Sequence, residues 1–357
     1  MVTMHSFFAR LAVVAALMTF HPDSLRAGTV ALTFDDLPIF GCFASASEGA
    51  AITRKLVGGL SRHRWRVTGF VNEGQLDAPD RVARIALLDR WLQAGMDLGN
   101  HTYSHRSLND TPVDAYIADT ARNEAVTGAL LAARGRRERW FRYPFLETGL
   151  TRGVRNQFEQ WLSGHGYRVA PVTIENSDWQ FSMPYDDALV RGDIRRAREI
   201  RRDYLSFTKR IVAWYRQAAI SLLGREPAFV FLLHASRLNA ASIDRLAYVL
   251  ARARLQVVPL DTAMRDPAYL TADSYLGPDG IEWLERWSLT LGRELPFETI
   301  PIVPTRIAAE TSALEAKSNG VRCRAPEASD ELLNARPRAS PAEGPDHMVQ
   351  PIPLNPG

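Results

Sequence analysis

Two imidazoles four residues apart, in His101-Thr102-Tyr103-Ser104-His105, are the first feature of this sequence with the makings of a chemical site. On a helix that spacing puts both rings on one face, at a separation suited to a single metal ion. The pair alone is weak, because two histidines at this spacing also arise by chance and each has an ordinary reading as a satisfied imidazole. A third ligand changes its weight. Asp35-Asp36 ends the apolar run Val30-Ala31-Leu32-Thr33-Phe34, where a chain turning into a loop aims adjacent carboxylates at a common centre. A turn or capping aspartate is the competing explanation, but a buried carboxylate is costly unless it is paired or metal-bound. Two histidines and one carboxylate form the coordination sphere of catalytic zinc hydrolases and of non-haem iron oxygenases. The spare carboxylate favours hydrolysis, which needs a base.

Three further segments supply parts for such a reaction. Trp140-Phe141-Arg142-Tyr143-Pro144-Phe145 places an arginine before a proline-stiffened turn, able to orient a carboxylate and to present a backbone N–H to an oxyanion. Glu175-Asn176-Ser177-Asp178-Trp179 offers acids beside an indole, and Leu232-Leu233-His234 ends the most apolar run in the chain. Singly, each has a structural explanation as surface arginine, core tryptophan or satisfied histidine. It is their joint occurrence after strands, in one order, that favours a site.

Stepping these residues into place requires alternating strands and helices. Apolar, β-favouring runs stand at 30–34, 67–71, 167–172, 228–233 and 255–260, and helical periodicity at 81–94, 114–133 and 240–253. The alternation predicts a mainly parallel α/β sheet, open or closed into a barrel, with function at the carboxyl ends of its strands. It also argues against the iron oxygenases, which sit on an antiparallel double sheet. An arginine-dense helical stretch over 191–217 is interrupted by Asp193, Glu199 and Asp203. It reads as a solvated helix face rather than an anionic-glycan contact.

In their order, these motifs resemble the polysaccharide deacetylase superfamily, carbohydrate esterase family 4. The resemblance covers roughly Val30 to His234, and Thr33-Phe34-Asp35-Asp36 and His101-Thr102-Tyr103-Ser104-His105 are its most specific parts. It implies a distorted (β/α) barrel with one divalent ion, zinc by ligand type, held by Asp36, His101 and His105. Asp35 would be the general base, Arg142 would hold it, and His234 would be the general acid tuned by Glu175. Phe145 would lend a backbone N–H to the oxyanion hole, Trp179 would wall the groove and Leu232 would line the acetyl pocket. Three positions depart from the pattern: Leu37 stands where the family has Gly, Glu175 where it has Asp, and Phe145 where it more often has a hydroxylated aromatic.

The expected function is metal-dependent removal of N-acetyl or O-acetyl groups from a carbohydrate. The rivals are hydrolysis of another small amide or ester on the same fold, or a non-catalytic glycan-binding module. A formal charge of +3 over 357 residues gives no argument for a nucleic-acid partner. Arg10, the apolar run 11–20 and the small pair Ala27-Gly28 have the layout of a secretory signal peptide, too short to span a bilayer comfortably. The expected organisation is therefore a signal peptide over 1–27, a deacetylase barrel over 28–265, a helical extension packed on it over 266–318, and a disordered tail over 319–357, rich in Pro, Ala, Ser and charge. The mature protein is expected in the periplasm or outside the cell, without stable membrane insertion. Cys42 and Cys323 make no disulfide framework.

Overall fold

A computed structural model describes residues 27–41 and 46–317. The expected signal peptide up to residue 26, both cysteines and the expected tail lie outside them.

The most apolar strands occupy the middle of the sheet, as burial on both faces demands. Strand β1 (Gly28–Leu37) pairs in parallel with β2 (Thr68–Val71) on one side and β7 (Phe229–His234) on the other. Outward from β2 lie β3 (Asp97–Asn100), β4 (Trp140–Phe141) and β5 (Arg168–Val169). Beyond β7 lies β6 (Ile174–Glu175), while β8 (Leu255–Val257) joins the start of β1. All eight strands run parallel and the sheet curls into a half-barrel wrapped by helices. The strand period of two sorts β1 and β7 into faces. Leu32, Phe34 and Phe231 join the large core beneath the helices, whereas Ala31 and Val230 meet Phe70, Trp140 and Ala170 in a small cluster inside the curl. Continuing along that inner face, Thr33 and Leu232 are paired, then Asp35 and His234, so the inner row turns polar at the carboxyl end.

Helix α1 (Ala46–Arg62) lies against α8 (Arg237–Arg252), where a β-carbon at Gly59 would collide with Ile243. Helix α2 (Arg81–Gln93) buries Leu87, Leu88, Trp91 and Leu92. The periodicity over 114–133 is two helices rather than one. α3 (Val113–Arg122) and α4 (Ala125–Ala132) break at Asn123, whose buried side chain donates to Val71 O at 2.7 Å and accepts from Glu73 N at 2.6 Å. Glu73 in turn accepts from Val126 N and Thr127 N at the start of α4. Helices α5 (Arg152–Gly164) and α6 (Asp178–Val190) follow β4 and β6. The arginine-dense stretch begins α7 (Ile194–Leu223), which buries Ile200, Tyr204, Phe207 and Ile211 and leaves Arg195, Arg198 and Arg202 in solvent. A short α9 (Leu260–Ala263) follows β8. Beyond it, α10 (Trp283–Leu291) packs through Trp283, Leu284 and Trp287, and α11 (Thr305–Lys317) is pinned to α6 by Thr311 Oγ1 donating to Gln180 O at 2.6 Å. No helix among the described residues is long and apolar enough to cross a membrane.

Candidate active site

At the carboxyl end of β1, Asp35 stands beside His234 of β7, and Asp36 takes a left-handed conformation (φ 62°) that turns its carboxylate out of the strand row. One strand beyond β2, His101 follows β3 directly. The His101–His105 segment is an irregular loop, not the helix expected from the spacing; left-handed Thr102 (φ 61°) and His105 (φ 53°) fold it so that both rings converge. Asn72 holds this loop by donating to His101 O and to Thr102 O, the latter at 2.9 Å. Leu37, the departure at the family's glycine, is fully buried, and its side chain fills the space a β-carbon on Gly69 would need.

Asp36 Oδ1 lies 3.4 Å from His105 Nε2 and 3.7 Å from His101 Nε2. One ligand atom from each of the three residues fits within a 4.8 Å circle. Tetrahedral coordination with bonds of roughly 2.0–2.1 Å puts ligand atoms about 3.3 Å apart, so this trio fits one small divalent ion. The tautomer fits too. His101 Nδ1 lies 2.8 Å from Arg142 O and can donate only if it carries the proton, which leaves Nε2 a lone pair toward Asp36. Burial drives the His101 pKa down to about 4, so the ring is neutral, as a ligand must be.

Asp35 is buried behind this trio, and its Oδ1 has no hydrogen-bond partner among the described residues. Burial raises its pKa to about 6 against the opposing pull of Arg142 and His234. Fully buried Arg142 sets a terminal nitrogen 3.9 Å from Asp35 Oδ2 and donates from the other to Thr33 Oγ1 at 2.9 Å. Thr33, which the sequence placed in a motif without giving it a role, thereby orients the arginine.

His234 corrects one expectation. Its Nδ1 is 2.6 Å from Asp178 Oδ1, not in contact with Glu175. Asp178, wholly buried at the start of α6, also accepts from His234 N at 2.8 Å and from Asn239. Glu175 instead folds back onto Ser177 N at 2.6 Å, and burial together with Glu282 and Asp178 raises its pKa to about 8. The reason is local: β6 is two residues long, and left-handed Ser177 (φ 50°) swings the chain so that the aspartate directly after it faces the histidine. Burial works against charge on His234, but Asp178 outweighs it and the pKa rises to about 9.

Phe145 closes the other flank. It is 44% exposed and left-handed (φ 57°), and its ring meets that of His105 edge-on at 4.5 Å. Half-buried Trp179 follows Asp178 on α6, Leu232 is buried on β7, and the Phe40 ring lies tilted against that of His234, with centroids 4.5 Å apart. Sequence reading missed Asp178 as the partner of His234, and missed Asn72, Asn239 and Phe40 altogether.

Residues 23–170 match the family model for polysaccharide deacetylase. Over that span the chain is similar to polysaccharide deacetylases. The matched span includes Asp35, Asp36, His101, His105 and Arg142 but stops before Asp178 and His234. A peptidoglycan-N-acetylglucosamine deacetylase of Bacillus cereus is 28% identical over 152 residues, 42% of this chain and 46% of that relative, so the match spans about half of the relative's length. Among solved structures, the chitin deacetylase of Colletotrichum lindemuthianum is similar at 20% identity and a TM-score of 0.46, over 67% of this chain and 88% of that one. A family 4 carbohydrate esterase of Streptomyces lividans shows 21% identity and a TM-score of 0.43, over 66% and 95%. A Bacillus anthracis protein described as a pseudoenzyme of the same family shows 16% identity and a TM-score of 0.45, over 68% and 66%.

Proposed function

We propose that the protein is a metal-dependent hydrolase that removes acetyl groups from a carbohydrate. The carrying observation is the convergence of Asp36, His101 and His105 within 4.8 Å, with the spare buried carboxylate of Asp35 and the His234 imidazole on adjoining strand ends.

In this reading Asp36, His101 and His105 hold one divalent ion, with zinc favoured by the mixed imidazole and carboxylate donors. A divalent ion bound there supplies Lewis acidity toward the acetyl carbonyl and toward the attacking water. Asp35 accepts the proton of that water; a base works best with a pKa close to the operating pH, and Asp35 is pushed up to about 6. Arg142 keeps the carboxylate aimed while donating to Thr33. His234 holds its proton on the nitrogen not bound to Asp178 and delivers it to the leaving amine or alkoxide. The Phe145 backbone faces the developing oxyanion, Leu232 borders the acetyl methyl and Trp179 flanks the sugar. The domain follows a signal peptide over 1–27, which would deliver it to the periplasm or the exterior, where acetylated wall and matrix glycans are found.

Acetate release from a panel of acetylated chitooligosaccharides, peptidoglycan and xylan, with and without a chelator, tests the reading. Chelator-sensitive release from at least one supports it. Glycan binding without release, in zinc-loaded protein, would instead identify a binding module.

A further inference from the structure

We propose that Arg286 and Asp273, which lie beyond the family-matched residues, form a positioning brace that fixes the Phe145 turn and with it the oxyanion side of the site. The inference rests on the deacetylase reading for its catalytic consequence, though not for the brace itself.

Phe145 and Leu146 are consecutive non-glycine residues in the left-handed region, at φ 57° and 59°. Such a pair persists only when its surroundings over-determine it. Those surroundings come from the C-terminal part of the chain. Arg286 is fully buried and donates to Leu146 O at 2.5 Å, Thr148 Oγ1 at 3.0 Å, Asp273 Oδ2 at 3.2 Å and Ile281 O at 2.9 Å. Its plane lies over the Trp283 ring at 4.5 Å. Arg155 joins from the opposite side, donating to Asp273 O at 3.2 Å, to Thr148 Oγ1 and to Tyr275 O. A guanidinium fork can bind a main-chain carbonyl, a hydroxyl and a carboxylate together, which a lysine ammonium cannot do with the same geometry. Gly280 lies against the turn so closely that a β-carbon there would run into the Phe145 carbonyl. Asn109 extends the brace to the loop bearing His105: its side chain donates to Pro278 O at 3.0 Å and accepts from Gly149 N at 3.1 Å.

The segment 273–286 thus grips the backbone immediately after Phe145 and abuts Phe145 itself. Simple structural glue would lower stability when broken and leave turnover per folded molecule alone. A positioning brace lowers kcat, because stabilisation of a developing oxyanion is realised in the transition state and not in substrate binding.

The test uses the full chain loaded with zinc, comparing wild type with Gly280→Ala, Arg286→Met and Arg286→Lys. The readouts are kcat and KM on an acetylated chitooligosaccharide, metal content, and amide hydrogen exchange over 143–149 and 228–234. Gly280→Ala and Arg286→Met are expected to lose about 100-fold in kcat, the usual consequence of a misplacement near 1 Å, with KM and metal content unchanged. Exchange should quicken over 143–149 and not over 228–234, and Arg286→Lys should recover part of the loss. Where Arg286→Met does not fold, Gly280→Ala decides, since it leaves the buried charges in place. Wild-type exchange over 143–149 in the variants would overturn the brace, as would unchanged kcat despite faster exchange. If wild type itself releases no acetate, the deacetylase reading fails, and the exchange comparison alone decides whether 273–286 holds the turn.

Discussion

Asp35 and Asp36 are neighbours in sequence with different proposed roles, and a single backbone angle separates them. Asp35 continues the strand row toward His234, while left-handed Asp36 leaves it to face the two histidines. Asp35→Asn is therefore expected to keep its metal and to lose about two to four orders of magnitude in kcat, the usual worth of a positioned base; elemental analysis beside acetate-release kinetics checks both halves. The alkaline limb of the pH profile belongs to His234. A general acid must carry its proton, and Asp178 holds that proton on up to about pH 9, so in the proposed mechanism kcat/KM is expected to hold from about pH 6, above which Asp35 is ionised, up to that point and to decline through it. Asp178→Asn removes the raising charge and should move the limb toward acid, whereas Glu175→Gln should leave it in place. The opposite pattern in the two profiles would restore Glu175 as the partner. The positions of Asp35, Asp36 and His234 were legible in the sequence because each stands at the end of an apolar strand, and the His101–His105 pair because of its spacing. Asp178 was not, because the turn at Ser177 that presents it depends on a left-handed conformation that residue type does not announce.

At the scale of elements, the sequence disclosed the strands written as apolar, β-favouring runs and missed β3, β4 and β6. β1 and β7 are long apolar runs, but β3 is Asp-Leu-Gly-Asn and β4 and β6 have two residues each, so neither periodicity nor propensity marks them. Gly99 of β3 is required by packing, since a β-carbon there would sit 2.8 Å from both the Phe70 ring and Trp140 O. The break between α3 and α4 escaped notice for another reason. The apolar spacing continues across it, and only the buried Asn123 and Glu73 bonds end one helix and start the next. Glu73→Ala removes the acceptor for Val126 N and Thr127 N and is expected to cost about 1–2 kcal/mol, as loss of a helix cap does. Denaturant unfolding with an unchanged m-value would measure it, and a change within about 0.5 kcal/mol, typical of an uninvolved surface site, would deny the cap its role.

Across the whole molecule, the matched residues 23–170 contain the proposed ligands, the proposed base and its arginine. The later chain contains the proposed acid, its aspartate and the segment behind the Phe145 turn. The core is built independently of any ion: Trp91, Trp140, Phe34 and Phe70 are fully buried around the strands that carry the site. Removing metal with a chelator is accordingly expected to abolish acetate release while leaving far-ultraviolet circular dichroism and cooperative unfolding in place, and zinc should restore turnover. Loss of the fold on chelation would make the ion structural. The most direct measurement is the metal content of purified wild type beside Asp36→Ala, His101→Ala and His105→Ala. One ion per chain in wild type, with severe loss in each variant, is the result expected; wild-type stoichiometry in all three would place the metal elsewhere and contradict the central claim.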